Sequence, residues 1–302
     1  MQQKIKHVSI VLKPNVNDEF RNVITNLTEW LINRKCKVSF LESESSRIKR
    51  FIGKLHDGVS FLSTKNLHKK SDLLISLGGD GTLIGCARLA TKDTPPIFGI
   101  NMGNLGFTTE FNQIEMFDEL SNILKGKYET YILPIYKVDV RNGDKSQFKG
   151  SFINDLIFGK VDLSRMILIS IMLGKDHVYD ISGDGLIISS PIGSTAYSLA
   201  AGGPMIHPSV NSMVLTPICP HSLTHRPLVI PDDEVVTGKL CHHNSIPVVL
   251  TMDGQESYTI KQQDVVIVKK SKSTHALIIK NKDRNYFHTL REKFTYGSQG
   301  KK

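Results

Sequence analysis

Asp72-Leu-Leu-Ile-Ser-Leu-Gly-Gly-Asp-Gly-Thr-Leu-Ile-Gly-Cys-Ala-Arg-Leu-Ala90 is the stretch on which the fold turns. Leu73–Leu77 is an unbroken apolar run, the pattern of a strand buried on both faces. Gly78, Gly79 and Gly81 then make a turn that side chains would obstruct, with Asp80 inside it. Thr82–Ala90 reads as a helix of good helix formers. Strand, glycine turn and helix start together present backbone N–H groups and a positive dipole end to a phosphate. A carboxylate in such a site repels phosphate unless it takes a proton or binds a metal. Asp80 as a plain helix cap is the competing reading, and the turn by itself leaves both open.

Upstream, a strand within Lys6–Lys13, an amphipathic helix over Asn17–Asn33 and a strand over Cys36–Leu41 give βαβ order and predict a parallel sheet. Trp30 falls on the apolar face of that helix and reads as core. Residues 42–70 are polar and weakly periodic; a helix over Ser46–Leu55 followed by a loop is the expectation. Downstream, Pro96–Ile100 is a strand that runs into a second glycine turn, Asn101-Met-Gly-Asn-Leu-Gly-Phe107. Open α/β sheets hold ligands at such strand ends. A helix over Glu115–Leu124 closes at Gly126.

From Tyr131 to about Ile279 the pattern becomes short β-branched and aromatic runs separated by turns, which predicts a mostly antiparallel β domain. Gly193–Gly203 interrupts it with a short helix that opens on hydroxyl residues. A strand over Ala276–Lys280 and a helix over Tyr286–Phe294 follow, and the tail from Gly297 reads as disordered. The expected domains are therefore 1–127, completed by 272–302 crossing back, and a β-rich 128–271.

The 302 residues carry 38 Lys and Arg against 29 Asp and Glu, a net charge of +9, which suits an anionic partner. The basic residues are dispersed rather than gathered in a stripe with aromatics, so phosphate metabolites fit better than nucleic acid. Cys36, Cys86, Cys219 and Cys241 form no close pairs, which excludes a disulfide framework or zinc site and points to a reducing cytoplasm. No apolar run approaches the roughly 20 residues of a membrane span, and the N-terminus lacks a signal-peptide core. No Gly-x-x-x-x-Gly-Lys-[Ser/Thr] loop is present, and Gly193-Ser-Thr lacks a nucleophile elbow. His221 and His225 flank a turn and read as loop residues.

Six blocks occur in order: Gly78–Thr82, Asn101–Phe107, Asn154-Asp155, Asp184–Pro204, Pro220–Ile230 and Asp253-Gly-Gln255. Together they resemble the bacterial NAD kinase family, whose most specific block is Asp184–Pro204. The resemblance implies an α/β Rossmann-like N-terminal domain and an all-β C-terminal domain with the active site between them. It implies phosphorylation by ATP of the 2′-hydroxyl of the adenosine ribose of NAD, giving NADP, with a divalent metal, Mg²⁺ held mainly by phosphates. It implies Asp80 as proton acceptor, with Gly79 and Gly81 beside the substrate and Phe107 packed near it. Asn154 and Asp155 match an Asn-Glu pair that holds NAD. Asp184 would contact nucleotide, and Thr195, Ala196, Tyr197, Ser198 and Ala200 would line the pocket, with Tyr197 against adenine. Gln255 matches a substrate-binding Gln, and Arg165 stands where relatives carry a basic residue or His. It also implies a homo-oligomer, expected here as a tetramer.

Two departures stand out. Asp155 is a methylene shorter than the usual Glu, and Ile192 replaces a Thr. Neither touches the expected base. A lipid or sugar kinase sharing the glycine turn, and a sensor of NAD or NADP without catalysis, are the alternatives; a pure sensor has little use for a carboxylate beside phosphates. The run Ser212–Pro220, Ser-Met-Val-Leu-Thr-Pro-Ile-Cys-Pro, carries no charge, so it is expected to be buried, either in the core or against another subunit.

Overall fold

The structure, a computed structural model, describes residues 4–14, 18–103, 106–162, 165–241 and 246–294. The expected helix start at Asn17, positions 104–105 of the second glycine turn and the tail from Gly297 lie outside the described residues. The chain forms two compact units, 1–133 with 275–302, and 134–274.

The first unit runs β1 (His7–Leu12), α1 (Arg21–Asn33), β2 (Lys37–Leu41), α2 (Ser45–Ile52), β3 (Val59–Leu62), α3 (Thr64–Lys70), β4 (Leu73–Gly78), α4 (Asp80–Arg88), β5 (Ile97–Asn101), β6 (Phe111–Asn112) and α5 (Met116–Leu124). Its sheet is parallel in the order β3-β2-β1-β4-β5. Every residue of β4 is buried, as the apolar run Leu73–Leu77 requires of a central strand. Ile10, Ile24, Leu27, Phe40, Ile75 and Phe98 anchor its core. Removing one such side chain costs about 2–5 kcal/mol. Trp30 packs on Phe117 with the Arg34 guanidinium over its ring.

Where a loop was expected after residue 55, the chain forms β3 and α3. Both are short: β3 is only partly buried, and α3 covers just Leu67 and His68. Seven residues with two buried positions give no readable period. Helix α4 begins at Asp80 rather than Thr82, because the N–H groups of Thr82 and Leu83 both reach the carbonyl of Gly79 (3.0 and 3.2 Å).

The second unit continues with β7 (Thr130–Asn142), β8 (Lys145–Phe152), β9 (Asp155–Lys160), β10 (Ile167–Leu173), β11 (Asp176–Gly183), β12 (Gly185–Ser189), α6 (Tyr197–Ala200), β13 (Ser212–Ile218), β14 (Leu228–Pro231), β15 (Val236–Leu240), β16 (Val248–Met252), β17 (Glu256–Ile260) and β18 (Val265–Ile279); α7 (Tyr286–Lys293) belongs to the first unit. One antiparallel sheet has the order β14-β13-β12-β9-β16-β17, and β10 pairs with β11 and β15 in another. Tyr136, Phe152, Phe158, Ile169, Leu186 and Leu250 lie in the core of this unit.

Strand β13 is paired on both sides and Ser212–Pro217 is buried, so this part of the uncharged run belongs to the core, while Ile218 and Pro220 are partly open and Cys219 is exposed. The edge is β14, a four-residue strand that the sequence did not reveal. The two runs expected at 264–268 and 276–280 are one strand, β18; its polar middle, Lys269–His275, hid the continuity. The last residues of β18 return to the first unit, where Ile278 pairs in parallel with Ile97.

Candidate active site

The candidate site residues fall into two groups, one in each unit. In the first unit the group is built at the carboxyl ends of β4 and β5, whose last residues, Gly78 and Asn101, are in register. A Cβ on Gly78 would lie 2.8 Å from the Thr82 Cβ, so glycine is needed for α4 to fold back on the strand end. Gly79, by contrast, faces open space: a Cβ there would meet nothing within 4 Å.

Asp80 sits at the first position of α4, yet it caps nothing in that helix. Its carboxylate reaches forward to the segment after the second glycine turn. Oδ2 accepts the Phe107 N–H at 2.7 Å. Oδ1 accepts the Thr108 N–H (3.0 Å), the Thr108 hydroxyl (2.7 Å), the Thr109 N–H (2.8 Å) and the Thr109 hydroxyl (2.8 Å). This network decides against the helix-cap reading. Gly106 lies against the carboxylate so closely that a Cβ would overlap its atoms. Asn101 donates to the Thr109 hydroxyl (3.0 Å) and accepts from the Gly103 N–H (2.8 Å). The Tyr131 hydroxyl nearby is pushed up by burial, and further by the charges of Glu110 and Asp80, so it stays protonated. Phe107 packs against Tyr286 and Phe294, at ring-centroid distances of 6.1 and 6.0 Å. Asn281 donates its N–H to Glu110 (2.7 Å), so the returning C-terminal segment is tied to the loop that carries Thr109.

In the second unit, the strand pairings gather Asn154, Asp155, the 190–198 segment and the 253–255 turn at one sheet end: Asp155 pairs with Ser189, and Leu156 with Met252. The Asp253 carboxylate accepts three successive backbone N–H groups, from Ile153 (3.0 Å), Asn154 (2.7 Å) and Asp155 (3.2 Å). Asp253 (φ 52°) and Gly254 (φ 65°) both take the left-handed conformation, and Gln255 N–H closes the turn on the Met252 carbonyl at 3.0 Å. Positive φ at both central positions is the type I′ signature that Asp-Gly favours. The Asn154 carbonyl accepts the Ser190 N–H at 2.8 Å, and Gly193 packs so tightly on Asn154 that any Cβ would strike its backbone. With its backbone held on three sides, Asn154 keeps a buried side-chain oxygen with no donor among the described residues. A buried acceptor left open costs about 1–3 kcal/mol, an expense a ligand donor removes.

Asp155 is 5% exposed, and burial, helped by the charge of Asp253, pushes its carboxyl up to about 7. It therefore holds a proton over much of the range where carboxylates are ionised and can donate a hydrogen bond. Thr195 donates to the Ile192 carbonyl (2.9 Å), while Tyr197 is 46% exposed, and Ala196 and Ala200 are at least partly open to solvent. Ser198 is different: it is fully buried and its hydroxyl is engaged with Thr216 at 2.8 Å, so it acts through packing.

Asp184 lies at the other end of the same strands, where Gly185 pairs with Gly159, and it forms an ion pair with Lys160 at 2.6 Å. Five strand residues separate that end from Asp155, roughly 16 Å. Arg165, exposed, precedes β10, whose Ile167 pairs with Gly183 beside Asp184. These two residues share one end of the unit and the Asn154 group occupies the other.

The sequence reading missed Asn101, Thr108, Thr109 and Asp253 as site builders. Asp-Gly before Gln255 was a visible turn signal. A hydroxyl pair directly after a glycine turn carried no signal of what it would bond. Among the described residues no three His, Cys, Asp or Glu side chains group to hold a metal ion. The space beside Gly79 at the start of α4 is open.

Residues 8–128 match the family model described as the ATP-NAD kinase N-terminal domain, and 153–280 the ATP-NAD kinase C-terminal domain. A NAD kinase of Caldanaerobacter subterraneus is 35% identical over 292 residues, covering 96% of this chain and 99% of that protein. One from Geotalea daltonii is 35% identical over 278 residues, covering 92% and 94%. Among solved structures, yeast NADH kinase complexed with NADH has a TM-score of 0.87 at 21% identity, covering 99% of this chain and 90% of that one. An Archaeoglobus fulgidus NAD kinase in complex with ATP has a TM-score of 0.72 at 22% identity, covering 95% and 98%. These two likenesses speak to the two-domain fold.

Proposed function

The chain belongs to the NAD kinase family, and from that premise we propose that Asp80 accepts the proton as ATP phosphorylates the 2′-hydroxyl of the adenosine ribose of NAD. The enzyme is a phosphotransferase with an alcohol as acceptor. The observation that carries the assignment of Asp80 is its seat: a carboxylate fixed by five donors at a strand end, beside a helix start and open space at Gly79.

Phosphoryl transfer asks for positioning, countercharge and an oriented nucleophile. The start of α4 supplies N–H groups and a positive dipole end. A ribose hydroxyl is a poor nucleophile, and a carboxylate within hydrogen-bond reach raises its reactivity by taking its proton. A divalent cation, Mg²⁺ in our reading, supplies countercharge for the phosphates. Asn154 offers its open acceptor to a donor on NAD, and Asp155 offers a proton or an acceptor to a hydroxyl. Gly79, Gly81 and Phe107 border the reacting end; Thr195, Ala196, Tyr197, Ala200 and Gln255 border the nucleotide, with Tyr197 against adenine and Ser198 holding their segment in place.

Asp184 and Arg165 lie away from the Asn154 group, so we assign them to nucleotide bound by another copy in a homotetramer. The exposed apolar edge at Leu228 and Val229 offers that assembly a surface. The four cysteines are free thiols, in keeping with a cytoplasmic enzyme. Incubation with NAD, ATP and Mg²⁺ tests the reading: NADP must form, and its absence refutes both the kinase and the assignment of Asp80.

A further inference from the structure

We propose that Asn101 and Thr109 are positioning residues which turn Asp80 so that its Oδ2, and not Oδ1, receives the substrate proton. The inference rests on the kinase reading and deepens it. A carboxylate oxygen offers two lone pairs. Oδ1 faces four donors at 2.7–3.0 Å, the N–H and hydroxyl of both Thr108 and Thr109. A proton arriving there would enter a ring of hydrogens. Oδ2 takes one donor among the described residues, the Phe107 N–H, and keeps a lone pair.

Whether Thr109 donates to Asp80 depends on its own hydrogen, and Asn101 decides the matter. The Gly103 N–H points at one terminal atom of the Asn101 amide at 2.8 Å, so that atom is the oxygen. The other is the nitrogen, a donor only, and it lies 3.0 Å from the Thr109 hydroxyl. The hydroxyl therefore accepts from Asn101, and its single hydrogen goes to Asp80. Thr109 is 0% exposed and Asn101 5%, so water does not disturb this polarity. Gly106 also lies against the carboxylate, where an added Cβ would overlap Oδ1 first.

The test uses the full chain, with kcat and the KM for NAD measured at saturating ATP and Mg²⁺ for Thr109→Val, Thr109→Ser and Asn101→Asp. Thr109→Val keeps the shape and removes the hydrogen; kcat should fall by about ten-fold or more while KM stays within about three-fold. Thr109→Ser restores the hydroxyl and should return kcat to within about three-fold of wild type. Asn101→Asp offers the Thr109 hydrogen a second carboxylate, draws it from Asp80 and should lower kcat like the Val variant. Should Thr109→Val fail to fold, Asn101→Asp and Thr109→Ser decide. Wild-type kcat in Thr109→Val or in Asn101→Asp, equal losses in Val and Ser, or a loss in KM instead of kcat would overturn the proposal. A wild-type enzyme that makes no NADP overturns the kinase reading and this inference together. An active wild type with an unaffected Val variant overturns this inference alone.

Discussion

Replacing Asp80 with Asn separates the chemical role of the carboxylate from its structural one. The amide oxygen can take the place of Oδ1 and keep all four donors there. The NH₂ group then stands where Oδ2 was and faces the Phe107 N–H, so that charge-assisted bond of 2.7 Å is lost, while the other four persist as neutral hydrogen bonds. Such a bond contributes about 1.5–3 kcal/mol. Against a typical stability of about 5–15 kcal/mol, the variant stays almost entirely folded. Loss of a positioned general base costs about 10² to 10⁴ in rate, or roughly 2.7–5.4 kcal/mol of barrier. Unfolding therefore cannot imitate the chemical effect. With NADP formation followed under saturating substrates, kcat should fall at least a hundred-fold while the NAD dissociation constant, read by calorimetry, changes by no more than about three-fold. Turnover within about ten-fold of wild type would show that Asp80 is a loop anchor and not the base.

Asp155→Asn should stabilise the enzyme at pH 8. A buried carboxyl at about 7, against an ordinary 3.8, stabilises the fold below pH 3.8 and loses that contribution as pH rises toward 7. The full difference corresponds to roughly 4 kcal/mol as an upper bound, so the variant's Tm advantage should be clear at pH 8 and shrink toward pH 4; a constant offset would contradict it. Asp253→Ala strands three N–H groups and should raise the KM for NAD about ten-fold or more, with a stability loss of about 2–5 kcal/mol in urea titrations. A KM equal to wild type would show that the clamp on Asn154 is dispensable. If Asp184 and Arg165 serve a neighbour's nucleotide, specific activity should fall on dilution below the tetramer's dissociation constant, and fully active enzyme with one subunit's mass in light scattering would exclude that arrangement.

The parallel sheet and the seat of Asp80 were legible because β4 announces itself as an apolar run that stops at glycines, and central strands must be apolar on both faces. The β-rich half was legible from its alternation and turns. Elements that bury little, such as β3, α3 and β14, left no pattern to read. Asn154 and Asp155 stood out through the family blocks, but nothing in the residue string showed that Asp155 would hold a proton near neutrality. That property arises from its burial and from Asp253, 98 residues away along the chain. The separation of Asp184 from Asn154 was equally hidden, because it depends on which ends of β9 and β12 each residue occupies.

The Asp253-Gly254 turn has a consequence for the order in which the enzyme assembles. A turn with this signature lets β16 and β17 zip together from local sequence alone, on a scale of about 1–10 μs. The carboxylate that gathers the N–H groups of 153–155 is then already presented when β9 arrives from a hundred residues upstream. The long-range encounter is the slow event, because it closes a large loop. The hairpin thus acts as a template waiting for its strand, and the geometry around Asn154 is completed in the same step that docks β9. A chain with a flexible turn in place of Asp253-Gly254 should refold more slowly, and recover NAD binding only after the bulk of its strand signal has returned.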